Sequence, residues 1–195
     1  MRNKLYAVVA VLVLTGCPVV VPSPGGVQGR WSDGKNVTTA GNRTDSYELI
    51  YGFSGPTATL ELVQTATAAG QSAQIVTAVT STFELVETDS GPALSFTQPL
   101  PSRNPSEADL RSLASVYIAG LTAEEREAAE SGLLEGQTLE TAYVGLLQFM
   151  TALSTSTMAM SIDCFGASCS PVLFALEGDS LVLSLSSGDV TLSRV

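Results

Sequence analysis

The sequence predicts an α+β domain: a mostly antiparallel meander, closed into a barrel or strongly curved, with a two-to-three-helix insertion. Three observations predict it. Short alternating runs rich in Val, Thr, Leu and Ala are separated by Gly, Asp, Ser and Pro. Apolar residues then recur at helical spacing over about 106–155. Alternation resumes beyond that block and continues to the C-terminus.

The first element is a leader, expected over 1–16. Arg2 and Lys4 precede the apolar run Leu5 to Leu14, and Thr15 and Gly16 are small, as a cleavage site requires. At about 1.5 Å per residue the run spans only about half of a ~30 Å hydrocarbon core, which argues against a transmembrane helix. In an ordinary signal peptide, Cys17 would follow the cleavage site by chance. The tetrapeptide Leu14-Thr15-Gly16-Cys17 resembles the lipobox of bacterial lipoproteins. That resemblance implies cleavage before Cys17, a diacylglycerol on its sulfur and commonly a palmitate-like acyl chain on the new amino group. Several chains on one residue make an effectively permanent anchor, since each buried methylene contributes about 0.8 kcal/mol. Pro18 to Gly26 is rich in Pro and Gly, so 17–27 is expected to be an extended tether. An Asp after the lipidated cysteine is the usual inner-membrane retention signal in Gram-negative envelopes. Pro18 stands there instead, which favours the outer membrane, on its periplasmic face or at the surface.

A single domain is expected over 28–195. After Gly29-Arg30-Trp31-Ser32 come alternating runs at Tyr47 to Phe53, Thr57 to Ala66 and Ile75 to Thr88, then a shorter one at Leu94 to Thr97. In Ile75 to Thr88 the row Ile75, Thr77, Val79, Ser81 and Phe83 is only partly apolar, so the inward face is ambiguous. Turns are expected at Asp33-Gly34, Gly55-Pro56, Gly70 and Ser90-Gly91-Pro92. The pattern changes after Pro99-Leu100-Pro101. Ser106 before Glu107 and Asp109 is a capping signal, and Leu110, Leu113, Ala114, Tyr117, Ile118 and Leu121 follow at helical spacing, with Gly120 as a stop. Thr122 with Glu125 repeats the signal for a short acidic helix, Ala123 to Leu134. Thr138 opens a third, whose stripe is Leu139, Tyr143, Leu146, Leu147, Met150 and Leu153. Met158, Met160 and Ile162 then alternate with Ala159, Ser161 and Asp163 as a strand would. Val172 to Leu176, Leu181 to Leu185 and Val190 to Arg194, joined at Glu177-Gly178-Asp179 and Ser187-Gly188, complete the domain as hairpins.

Gly29-x-Trp31 at the start and Leu176-Glu177-Gly178-Asp179-Ser180-Leu181 near the end resemble lipocalin-like barrel proteins of bacterial envelopes. The resemblance covers the two ends and the strand pattern, and skips the helical block. It implies a closed barrel with Trp31 packed under the core at one end, and a small apolar ligand. In any other β domain Trp31 would still be a buried core residue.

Charge and cysteines narrow the function. The chain carries −10, and loss of Arg2 and Lys4 leaves 7 basic against 19 acidic residues. Such a surface repels phosphate backbones, so no nucleic-acid partner is expected; solubility alone also accounts for the acidity. With Cys17 acylated, Cys164 and Cys169 remain as a pair in an oxidising compartment, where a structural disulfide is the default. The ring would contribute only about 2 kcal/mol. Free thiols, redox chemistry and metal binding are the other readings of that pair.

There is no histidine, which removes the His-based triads and His metal sites. Glu124, Glu125, Glu127 and Glu130 are the one carboxylate group that could attempt acid–base hydrolysis, and such a run near a helix start reads better as a solvated face. Neither enzyme activity, cofactor nor metal is expected. Met150, Met158 and Met160 remain as weak candidates for an apolar ligand site, with core filling as the competing account. The expected function is that of a lipid-anchored envelope protein, bound to the membrane through its N-terminal lipid and holding a small apolar ligand or serving as a scaffold. The alternative is an interaction module that docks to an envelope protein through the helical insert.

Overall fold

A computed structural model describes residues 26–164, 171–185 and 188–195. Its strands are β1 (Gly29–Ala40), β2 (Arg43–Ser54), β3 (Thr57–Ala68), β4 (Gln71–Thr88) and β5 (Gly91–Arg103), then β6 (Val172–Glu177), β7 (Ser180–Leu185) and β8 (Gly188–Arg194). Three helices, α1 (Glu107–Ala119), α2 (Ala123–Ser131) and α3 (Leu139–Cys164), lie between β5 and β6. The strands form a closed antiparallel barrel in sequence order, β1 closing on β8. This is the lipocalin-like barrel with a helical insert that the sequence predicts.

The barrel is lopsided. β1 to β5 are 12 to 18 residues long, whereas β6 to β8 have 6 or 7. At about 3.3 Å per residue the first five rise roughly 40–60 Å and the last three roughly 20 Å. β6 meets β5 at Ala93↔Leu173 and Leu94↔Val172, near the end that carries the β2–β3 and β4–β5 turns. β8 meets β1 at Trp31↔Arg194 and Ser32↔Ser193, at the same end. The ring therefore closes at this floor, and β1 to β5 project beyond it as an open curved sheet.

Strand alternation places one set of residues inside over the whole height. Cross-strand partners set the rows: Phe53↔Ala58, Tyr51↔Leu60, Tyr47↔Gln64 and Asp45↔Ala66, continued by Leu60↔Val79 and Ala66↔Ala73. The inward row of β4 is Ile75, Thr77, Val79, Ser81 and Phe83, all buried, so the polar members of that row do face in. At the floor the interior is filled by Trp31, Phe53, Phe83, Phe96, Phe174, Leu94, Leu181, Leu183 and Leu192. Phe53 and Phe83 meet edge to face at 5.3 Å, an orientation that the ring quadrupoles favour. Trp31 is fully buried and donates its indole N–H to the Val27 carbonyl at 2.9 Å. Arg194 covers the same ring at 5.0 Å and donates to the Gln28 carbonyl at 3.0 Å, pinning the last strand to the first.

Above the floor the same sheet face is covered by helices. Leu110, Leu113, Ala114, Val116 and Tyr117 of α1, with Val144 and Leu147 of α3, bury Ala66, Ala68 and Ile75. Alanine at 66 and 68 leaves room for a helix to approach the sheet. The caps of α1 and α2 form as the sequence predicts. Ser106 accepts from the Asp109 N–H and Thr122 from the Glu125 N–H, and both acids bond back to the cap N–H.

Three sequence expectations are corrected. The stretch Met158 to Asp163 is helical, because α3 continues to Cys164, so the insert runs past 155. No Gly or Pro interrupts the chain between Gly145 and Gly166, and a helix already propagating extends at little cost through a six-residue stretch of period two. β5 runs through Pro99 and Pro101 to Arg103. β6 pairs with β5 at Ala93 and Leu94, so the upper part of β5 lies where an edge strand tolerates prolines. Asp33-Gly34 is a bulge within β1, between Ser32 and Lys35, rather than a turn between strands. Gly34 takes φ +93 there, and the Asp33 carboxylate accepts the Leu49 N–H at 3.0 Å.

Candidate functional site

Between the aromatic floor and the helical cap, inward side chains of β2 and β3 are only half-buried. They are Tyr47, Leu49 and Tyr51 on β2, and Leu62 on β3. Leu49, Tyr51 and Leu62 rest on the aromatic cluster below. Tyr117 of α1 enters from above, accepting a hydrogen bond at 2.5 Å from the side-chain amide of Gln64, the cross-strand partner of Tyr47. The wall is therefore leucine and aromatic carbon with phenol and amide groups along its upper edge.

A polar latch holds the cap over this wall. Arg43 donates through Nε to both oxygens of Asp45 at 2.9 Å, and its guanidinium lies 4.0 Å from the centroid of the Tyr117 ring. Asp45 is buried and Arg43 largely so, which removes the competing water that makes exposed pairs weak. Gly120 ends α1 directly above: a Cβ there would lie 2.7 Å from the Cβ of Arg43 and 3.1 Å from that of Ala68. Only a residue without a side chain lets the helix end sit on the sheet.

The electrostatics keep the wall uncharged. Burial pushes the Tyr117 hydroxyl well above its ordinary value, and nearby Tyr47 and Asp45 push the same way against a smaller opposing pull from Arg43. Burial, then the Asp33 carboxylate, also raises Tyr51. Both phenols are neutral donors at physiological pH. Such a surface can hold an apolar or weakly polar molecule and offers it hydroxyl and amide partners; a free anion would find no unpaired cation at the latch.

The sequence candidates separate. Met158 is buried in the aromatic cluster. Met150 is exposed on the outside of α3. Cys17, Cys169 and the side chains of Met160 and Cys164 lie outside the described residues, and so does any Cys164–Cys169 bond. Glu124, Glu127 and Glu130 stand on α2, which has no buried residue, and Glu125 is engaged by Thr122, whose N–H and hydroxyl hold its carboxyl below the ordinary range. Among the described residues no three His, Cys, Asp or Glu side chains converge as metal ligands would.

Sequence reasoning missed the wall and the latch. Tyr47, Leu49 and Tyr51 alternate within one predicted strand, and that period was available as a signal. The partners Tyr117 and Gln64 are 53 positions apart, and nothing local pairs them. The chain matches no protein-family profile, and comparison with characterised proteins and with solved structures found no match.

Proposed function

We propose that this is a non-enzymatic, lipid-anchored protein of the bacterial cell envelope whose capped barrel holds a small apolar molecule. The observation that carries the reading is the half-buried inward wall of Tyr47, Leu49, Tyr51 and Leu62 between a sealed floor and a helical cap. Fully packed interiors leave such side chains no water contact, and apolar surface with a few placed hydroxyls is the usual make-up of a ligand site. The anchor rests on the lipobox-like Leu14-Thr15-Gly16-Cys17, and that address directs attention to apolar ligands drawn from a membrane.

Native mass spectrometry of the protein extracted from membranes tests the ligand. The expected result is an apolar adduct that is lost in Leu62→Glu, while Cys17→Ser removes the acyl mass and leaves the adduct. No adduct, together with no uptake of a fluorescent fatty acid, would reduce the barrel to a scaffold.

A second reading, docking through the helical insert, is favoured by a separate observation: Leu146, Phe149, Met150 and Leu153 are exposed on one side of α3. A solvated helix ordinarily places polar residues on its outer face.

A further inference from the structure

We propose that the outer face of α3 is where the domain lies against the boundary between headgroups and acyl chains of the bilayer that carries its anchor. The proposal rests on the anchored reading above.

The helix has two apolar faces. Val144, Leu147, Thr151 and Met158 are buried against the sheet and the barrel core. On the other side Leu146, Phe149, Met150 and Leu153 are exposed by 51%, 65%, 49% and 52%. Their three- and four-residue spacing puts them in one stripe over two turns. Among the described helices α3 is the longest, and none is long and apolar enough to cross a membrane. An exposed apolar stripe on a helix that does not span can still rest at the headgroup–acyl boundary, here without the basic flank that many interfacial helices carry.

Charge distinguishes this face from the rest of the insert. No Asp, Glu, Lys or Arg occurs between Glu140 and Asp163, in a chain whose net charge is −10. The outer positions among the stripe are Gly145, Gln148, Ala152, Ser156 and Thr157. By contrast α2 carries Glu124, Glu125, Glu127 and Glu130. Carboxylates oppose approach to a bilayer with anionic lipids, and within the insert residues 141–162 of α3 are free of them.

Reach favours a bilayer over a second copy. Eight residues, 18–25, separate the anchor Cys17 from Gly26, and nine extended steps span about 30 Å. Val27, next along the chain, belongs to the same buried cluster as Met158. The stripe precedes Met158 by 5 to 12 residues, about 8–18 Å of helix axis. Four half-exposed large side chains present about 400 Å² of apolar surface. The tether would hold this surface beside the bilayer at high effective concentration, so a modest apolar area suffices for docking there.

The test uses the chain starting at Cys17, with Cys164→Ser and Cys169→Ser, coupled through Cys17 to maleimide lipid in phosphatidylcholine vesicles. Phe149→Trp is the depth reporter and Val37→Trp, on exposed β1, the control. The expected result is about two-fold quenching of the Phe149→Trp emission by brominated lipid, with little at Val37→Trp. Adding Leu146→Gln and Leu153→Gln should abolish it while the unfolding midpoint stays put. Equal quenching at both sites, or none at 149, overturns the proposal; so does a stable dimer in solution that protects the stripe. Acylation of Cys17 in cells is read separately by partition of wild type and Cys17→Ser into a detergent phase. A failed anchor is thereby distinguished from a failed docking face.

Discussion

The lower and upper halves of the inner sheet face share strands and alternation but are buried by different means. At the floor, eight strands close on themselves and large aromatic side chains fill the ring. Higher up, the wall is Ala66, Ala68 and Ile75, and helices supply the bulk. Large residues in the strands serve where strand faces strand, and small ones serve where a helix must come close. The half-buried row between them belongs to neither regime, and its side chains keep partial contact with solvent.

Substitutions can break this contrast in order of size. Trp31→Ala should cost the most, about 3–5 kcal/mol, because it empties the largest buried volume and removes the partner of Arg194. Urea unfolding would show it as a lower midpoint for the whole domain. Gly120→Val should cost about 1–3 kcal/mol through overpacking against Arg43 and Ala68. Hydrogen exchange should then quicken in α1 and the tops of β2 and β3, with β6 to β8 unchanged. Uniform loosening would mean that the halves are a single cooperative unit.

Tyr117→Phe should cost about 1 kcal/mol by removing the bond from Gln64. It also predicts a change in pH dependence. The folded-state pKa of Tyr117 is raised above the ordinary 10.0, so its contribution is complete below pH 10. Above that, the unfolded chain ionises first and stability drains away. Denaturation midpoints from pH 8 to 11 should therefore fall less steeply in Tyr117→Phe than in wild type.

What could be read in the sequence follows the range of each interaction. The hairpins, the two capping boxes and the helical insert are local. Dipeptide turns and a Ser or Thr three residues ahead of an acid announce most of them; the exception is the first hairpin, where Asp33-Gly34 is a bulge and the chain turns at Gly41-Asn42. Three-to-four spacing also found Leu110, Leu113, Ala114 and Tyr117, but on α3 it did not tell the buried Leu147 from the exposed Leu146. An apolar stripe too wide for its contact looks the same in sequence as one that fits. The Met158 to Ile162 alternation misled because a period of two over so few residues also fits a helix. The latch was illegible because Arg43 and Tyr117 meet only after the insert folds back.

The closure of the ring has a temporal consequence. Gln28 and Arg194, joined at the floor, are 166 positions apart. Hairpins β1 to β5 and helix α1 depend on nearer partners and can form while that long loop is open. Contacts of such sequence separation come late and slow the overall rate. Sealing the floor is thus expected to be the last and slowest step. The protein's only tryptophan sits on that seam beneath Arg194. Its emission is a built-in clock for the moment the circle is complete.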